Sequence, residues 1–357
     1  MQLPDQQQSQ HSQTDPAHLA WFQSAYSDQR VRCGLCAHHC LIAAGKRGIC
    51  QVRENRGGML YTRVFGRTIS QHVDPIEKKP LFHFFPGSTA FSIATPGCNF
   101  QCQWCQNWQI SQMPREQDIL GGREATAEQI VAAAQASGSR SIAYTYTEPT
   151  IFYEYAYAIA GLAQKAGIAN VFVTNGYLSA DAIDCIESRV DAANVDLKAF
   201  QNKTYQRYVG ARLQPVLDGL KRMYAAGIWL EVTTLIIPDL NDDPQELRSI
   251  AQFIAQELSP DVPWHISRFF PAYQMSDRPP TPLGALRQAF EIGREAGLHY
   301  IYMGNVRGVG GEDTRCPSCN ATLIQRSGYR IIHNRIQQGK CPACGTTIAG
   351  IGMGDQE

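Results

Sequence analysis

The sequence predicts an α/β protein: a partial (βα)6 barrel preceded by an N-terminal cysteine-rich metal-binding segment and followed by a C-terminal zinc ribbon. Three observations carry this expectation. Between residues 90 and 303, short β-branched runs alternate with amphipathic helical stretches, and alternating βα units imply a parallel sheet with helices outside it. Eleven of the twelve cysteines fall into three groups with ligand-like spacing, at 33–50, 98–105 and 316–344. The chain's 357 residues, 44% of them hydrophobic, suffice for one large domain with small appendages. The expected divisions are an irregular tail over 1–30, the first cysteine group over 31–80, the barrel over 81–305, and the ribbon with its tail over 306–357.

The first fifteen residues are rich in Gln and Ser, with neither a basic region nor an apolar core, and read as a disordered tail. No run of about 18 apolar residues occurs, so no membrane span is expected. The 32 basic and 32 acidic side chains balance, giving no overall electrostatic case for nucleic acid or membrane surfaces. A long chain with clustered cysteines and no signal peptide predicts reduced, metal-binding thiols and a cytoplasmic location.

Cys33, Cys36, Cys40 and Cys50 have the spacing C-x2-C-x3-C-x9-C. Four thiolates on so short a loop can hold zinc or an iron-sulfur cluster. His38 and His39, inside the loop, read as solvent-facing residues rather than ligands.

The second group is Cys98, Cys102 and Cys105, spaced C-x3-C-x2-C. Electron-carrying ferredoxins close each [4Fe-4S] cluster with four thiolates. Three thiolates leave one iron open to a small molecule, which points to catalysis.

Seven strands are predicted, at 90–95, 141–146, 170–174, 193–198, 229–236, 264–270 and 299–303, separated by six helical segments. Thr126 with Glu128, Ser179 with Asp181, and Asp243 with Pro244 supply helix starts. A doubly wound open sheet is the alternative arrangement. The barrel reading expects polar residues just after strand ends. They occur there: Thr147-Glu148, Asn175-Gly176, Asp196 with Lys198, Pro238-Asp239, Tyr273 and Asn305. Cys185, in a helical stretch, reads as a small hydrophobe.

Cys316, Cys319, Cys341 and Cys344 form two Cys-Pro-x-Cys knuckles, the pattern of a structural four-cysteine zinc ribbon. So short a unit draws much of its folding free energy from metal binding. Arg315, Arg326, Arg330, Arg335 and Lys340 give it a basic character that would suit RNA or an acidic protein, against the plainer reading of a solvated face.

Cys98 to Cys105, Thr174-Asn175-Gly176 and Asp196-Leu197-Lys198 resemble the radical S-adenosylmethionine (SAM) activating enzymes, relatives of pyruvate formate-lyase activating enzyme. Further strings are Cys33-Gly34-Leu35-Cys36, Gly48-Ile49-Cys50, Tyr144-Thr145-Tyr146-Thr147-Glu148-Pro149, Trp264-His265-Ile266-Ser267-Arg268 and Tyr302-Met303-Gly304-Asn305. They are similar to the branch called AmmeMemoRadiSam system radical SAM enzymes. The resemblance implies a [4Fe-4S] cluster on Cys98, Cys102 and Cys105, with Trp104 beside cluster and SAM. It places SAM contacts at Thr147, Glu148, Asn175, Asp196 and Lys198; Asp196 and Lys198 read equally well as a barrel-end ion pair. It implies reductive cleavage of SAM to a 5′-deoxyadenosyl radical, a flavodoxin- or ferredoxin-type electron donor, and Memo-type and AMMECR-type protein partners. Radical modification of RNA and non-catalytic electron transfer are the competing functions. The chain departs from the family where Gly-Gly-Glu is usual, having Tyr146-Thr147-Glu148, and at Val173 and Tyr273, where Asp and His are common.

Overall fold

The computed structural model describes residues 18–306, 308 and 310–354; the expected tail over 1–15 lies outside them. The central sheet has eight strands: β1 (Ser70–Pro75), β2 (Thr89–Ala94), β3 (Ser141–Tyr144), β4 (Ala169–Thr174), β5 (Ala192–Asp196), β6 (Trp229–Ile236), β7 (Trp264–Arg268) and β8 (Ile301–Gly304). β1 pairs antiparallel with β2, and β2 through β8 are parallel. Each strand lies beside its neighbour in sequence. A doubly wound sheet would reverse its order at a switch point, and this one does not.

Six helices connect the seven parallel strands as expected: α1 (Ala127–Ala136), α2 (Tyr153–Lys165), α3 (Ala180–Ile186), α4 (Leu213–Ala225), α5 (Pro244–Phe253) and α6 (Leu283–Glu295). Their starts follow local chemistry. Thr126 Oγ1 accepts from the Gln129 N–H while the Gln129 side chain accepts from the Thr126 N–H, a reciprocal capping box. Ser179 accepts from the Ala182 N–H, and Asp243 from those of Gln245 and Glu246, with Pro244 at the first helical position. β2, β3 and β5 are almost wholly buried, as expected of parallel strands covered on both faces.

At the N-terminal ends of the strands, small residues leave room for a plug. Ile76, Leu81 and Phe84 pack against Ala90, Ala143, Val171 and Ala192. A buried polar network ties this floor to the C-terminal segment. Glu231 on β6 accepts from the backbone N–H groups of Phe82 (3.0 Å) and His83 (2.7 Å) and from His265 Nε2 (2.6 Å). His83 Nδ1 lies 2.6 Å from the Ala349 carbonyl, so that nitrogen carries the proton and donates; Nε2 accepts from the Tyr302 hydroxyl at 2.6 Å.

The C-terminal segment forms a three-stranded sheet, Thr314–Arg315, Thr322–Ser327 and Arg330–Asn334, on this floor. Arg326 departs from the expected basic patch. It is 6% exposed, donates to the Phe82 carbonyl at 2.9 Å and to Thr314 Oγ1 at 2.7 Å, and sits 4.3 Å from the centre of the Phe82 ring. It joins ribbon to sheet and offers no charge to a nucleic acid.

The N-terminal segment also differs from expectation. Within 1–30, residues His18–Leu19 pair with Met59–Thr62, and Gln23–Ala25 pair with Val31–Cys33, so the described part is built into small sheets. Within 31–80, Ser70–Pro75 belongs to the central sheet. The segment docks on the opposite end of the strands from the ribbon: the Ala37 N–H donates to the Tyr177 carbonyl and the Ser179 N–H to the Leu35 carbonyl, each at 3.0 Å. Arg53 and Glu154 of α2 form a buried ion pair beneath it. Among the described residues, no helix is long and apolar enough to cross a membrane.

Burial holds the His83 imidazole down at about 4, against an ordinary 6.5. Its neutral form is the folded one, so its contribution is complete above about pH 6.5 and lost as pH falls toward 4, at about 1.4 kcal/mol per pH unit. Denaturant unfolding between pH 7 and 5 is expected to show this slope in the parent protein, and a shallower one in His83→Gln.

Candidate functional site

The three-cysteine loop leaves β2 at Thr95 and is fastened on several sides by backbone hydrogen bonds. The Gly97 N–H donates to the Ile110 carbonyl (3.0 Å), Gln101 N–H to Val209 (2.8 Å) and Gln103 N–H to Tyr208 (3.1 Å), while the Gln103 carbonyl accepts from the Gln274 N–H (2.9 Å). Gly97 has φ of +104°. A Cβ there would lie 2.8 Å from Val52 Cγ1 and 3.2 Å from the Cys50 carbonyl oxygen, so only glycine lets the loop meet the N-terminal segment so closely. The Phe100 N–H donates to Cys98 Sγ at 3.4 Å, and Cys105 Sγ lies 3.3 Å from Ser111 Oγ. Trp104 is buried at 4% exposure and helps to keep water from this region.

Glu148 follows β3 and is 1% exposed. Its Oε1 accepts from the Thr150 N–H (3.0 Å), Thr150 Oγ1 (2.5 Å) and Thr174 Oγ1 (2.7 Å); Oε2 accepts from the Asn175 N–H (2.8 Å). Burial pushes its carboxyl up, and these four donors pull it back. Thr147 Oγ1 donates to the Thr95 carbonyl at 2.9 Å. Asn175 Nδ2 donates to Asn99 Oδ1 at 2.7 Å, which couples the turn after β4 to the cysteine loop.

That turn requires glycine as well. Gly176 has φ of +69°, and a Cβ on it would lie 2.8 Å from Val195 Cγ1. Positive φ also occurs in non-glycine residues at other strand exits: Tyr146 after β3, Asp239 after β6, Tyr273 after β7 and Asn305 after β8. Tyr146 occupies a position where the resembling family commonly has glycine, and it adopts a glycine-like backbone. Its hydroxyl bonds to Asp74 of β1, and Lys79 Nζ lies 4.4 Å from its ring centre.

Asp196 and Lys198, at the end of β5, form an ion pair at 3.0 Å. Burial alone would lower the Lys198 ammonium, yet Asp196 and the Cys102 sulfur hold it above its ordinary value. Burial pushes the Cys102 thiol up to about 12, and Lys198 opposes that rise. The ion-pair reading of these residues is thus realised, and the pair lies against the cysteine loop. Asn241, after β6, donates to the Lys198 carbonyl at 2.7 Å, and Tyr205 accepts from the Lys198 N–H at 3.1 Å.

Sequence reasoning missed Asn99, Tyr205 and Asn241 as supports. Asn99 was visible inside the cysteine motif, whereas Tyr205 and Asn241 carry no local signal. Thr95 Oγ1 and Asn99 Nδ2, which flank Cys98, are buried without hydrogen-bond partners. Unpaired buried donors beside three thiols suit a bound polar group.

Two cysteine groups differ in spacing. Among the described residues, the sulfurs of Cys316, Cys319, Cys341 and Cys344 are the group of metal-ligand atoms that all lie within 4.8 Å of one another. The Cys316–Cys344 and Cys319–Cys341 sulfur separations are 3.6 and 3.7 Å. A tetrahedral ion with metal–sulfur bonds of about 2.3 Å has edges of about 3.8 Å, so this group fits a single ion. Cysteines on a cluster bind different irons and must stand farther apart; Cys98, Cys102 and Cys105 are not drawn into the single-ion spacing.

Residues 92–254 match the family described as the Radical SAM superfamily. An uncharacterized protein of Methanocaldococcus jannaschii is 44% identical over 331 residues, spanning 92% of this chain and 98% of its own length. The pyruvate formate-lyase-activating enzyme of Clostridium pasteurianum is 24% identical over 165 residues, 44% of this chain and 66% of its own. A GTP 3′,8-cyclase of Listeria monocytogenes is 22% identical over 262 residues, 66% of this chain and 75% of its own.

Replacing Gly97 with Ala is expected to lower the unfolding free energy by about 1–3 kcal/mol, from overpacking and the unfavourable φ, and to reduce iron retained after anaerobic purification. Gly284→Ala, in α6 where nothing lies within 4 Å of the added methyl group, is the control and is expected to leave iron unchanged and stability equal or higher by up to about 1 kcal/mol. Denaturant titration and iron assay check the pair.

Proposed function

We propose that the chain, whose residues 92–254 match the Radical SAM superfamily, is an activating-enzyme-like member that cleaves SAM reductively at a [4Fe-4S] cluster on Cys98, Cys102 and Cys105. The carrying observation is the three-cysteine loop at the C-terminal ends of the parallel strands, with sulfurs outside single-ion spacing and a buried, unpartnered amide nitrogen on Asn99, the residue after Cys98. The unreversed strand order supports the partial (βα)6 barrel, whose strand exits are where such enzymes gather their functional groups. Held there, the cluster would supply the one electron for reductive cleavage of the S–C bond of SAM, giving methionine and a 5′-deoxyadenosyl radical able to remove hydrogen from the substrate.

The protein's own contribution is placement and exclusion of water. Lys198 offers N–H donors suited to a carboxylate, and Asp196 offers an acceptor suited to an amino group or hydroxyl; their mutual pairing keeps both extended beside Cys102. Thr147 and Asn175 hold the adjoining loops in register, and Glu148 acts through Thr150, Thr174 and Asn175, its four accepted bonds leaving it a positioning residue. We extend the proposal to zinc in the ribbon, supported by its sulfur spacing, and to a metal or cluster on Cys33, Cys36, Cys40 and Cys50. Its proposed company is a flavodoxin- or ferredoxin-type donor and, from the family resemblance, Memo-type and AMMECR-type proteins; the abstracted hydrogen belongs to a partner protein or a metabolite.

Anaerobic reconstitution with iron and sulfide, followed by dithionite and SAM, is expected to yield 5′-deoxyadenosine from the parent protein and none from Cys102→Ala. Equal yields by chromatography would sink the catalytic reading.

A further inference from the structure

We propose that Cys33, Cys36, Cys40 and Cys50 hold a second iron-sulfur cluster, not zinc, and that this cluster relays electrons to the one held by Cys98, Cys102 and Cys105. The inference rests on the radical SAM reading above and deepens it by assigning the route of reduction.

The first support is spacing. The ribbon shows what a single-ion site looks like in this protein, four sulfurs within 4.8 Å of one another, and among the described residues the N-terminal quartet does not share that arrangement. Its four thiols instead line one small, partly open space, together with Ile42 and Ile151. A four-cysteine donor set whose sulfurs stand outside single-ion spacing suits a cluster whose cysteines bind separate irons.

The second support is charge. Arg53 is 1% exposed, and its Nη1 stands 3.9 Å from Cys33 Sγ. A four-thiolate cluster carries net negative charge that grows on reduction, and a buried guanidinium beside it favours the reduced form. Glu154, the other partner of Arg53, fixes the guanidinium in place.

The third support is contact between the two cysteine groups. Gly97, the residue before Cys98, lies against the Cys50 carbonyl and Val52. Asn99, the residue after Cys98, lines the quartet's hollow, and its carbonyl lies 2.8 Å from His38 Nε2. Arg115, in the short helix Met113–Glu116 after the three-cysteine loop, donates to the Ile49 carbonyl at 2.7 Å. One layer of residues therefore separates the two groups. On the outer side, Leu41 and Ile49, adjacent in sequence to Cys40 and Cys50, are 43% and 37% exposed, so the quartet lies between solvent and the buried loop.

A redox-inert zinc would give this placement no use in electron transfer. A cluster gives it one: a reduced flavodoxin- or ferredoxin-type protein loses one electron to the quartet's cluster, which passes the same electron inward. The donor is oxidised by one electron, the inner cluster is reduced by one, and no bond or proton changes in the relay.

The full-length protein, purified anaerobically, and its Cys98→Ala/Cys102→Ala/Cys105→Ala variant provide the test. The parent is expected to hold about eight irons and the variant about four, the latter with an electron paramagnetic resonance signal on reduction and an unchanged zinc equivalent from the ribbon as the mark of a folded chain. In Cys36→Ala, the ratio of 5′-deoxyadenosine formed with reduced flavodoxin to that formed with dithionite is expected to fall. An iron-free triple variant carrying two zinc equivalents would overturn the cluster, and an unaltered ratio in Cys36→Ala would overturn the relay. Absence of 5′-deoxyadenosine from the parent with dithionite is a failure of the radical SAM reading instead, and the iron content of the triple variant separates the two.

Discussion

The mouth of the sheet depends on one buried carboxylate. Removing Glu148 from water is costly, and the cost is offset only because four donors from two different strand exits converge on it. That convergence holds the turns after β3 and β4 together, and through Asn175 and Asn99 it reaches the cysteine loop. The loop is therefore set by the strand exits of the sheet rather than by its own short sequence. Rigid placement of this kind is what radical chemistry needs, because a loosely held site admits water and competing hydrogen donors.

The opposite end of the strands follows the same logic with a different outcome. Glu231 is as deeply buried as Glu148, but its partners come from residues 82, 83, 229 and 265, and through His83 it is linked to residues 302 and 349. It closes a floor. Two buried carboxylates thus organise two ends of one sheet: the Glu148 end is surrounded by thiols and paired charges, and the Glu231 end by aromatic rings and the ribbon.

What was legible in the sequence was local. The three-cysteine motif, the helix caps at Thr126, Ser179 and Asp243, and the seven parallel strands each depend on residues close together in the chain, where spacing and propensity act directly. Ser70–Pro75 was missed because a polar strand ending in proline reads as a loop, and it survives as an edge strand, where proline's missing donor costs little. Arg326 was misread because a buried arginine and a surface one look alike until the partner 244 residues away, Phe82, is known. The meeting of Cys50 with Gly97 was likewise invisible, since a glycine shows that space is tight without saying what fills it.

The floor carries a consequence for how the protein is made. Ile351 pairs with the plug, its N–H donating to the His83 carbonyl and its carbonyl accepting from the Phe85 N–H, and these residues follow the second cysteine knuckle. On a ribosome the strands emerge long before them. The plug emerges before the parallel strands, but the bonds that Ile351 adds to it form only once residues 316–351 have emerged, so the lower end of the sheet gains its last contacts late in biogenesis.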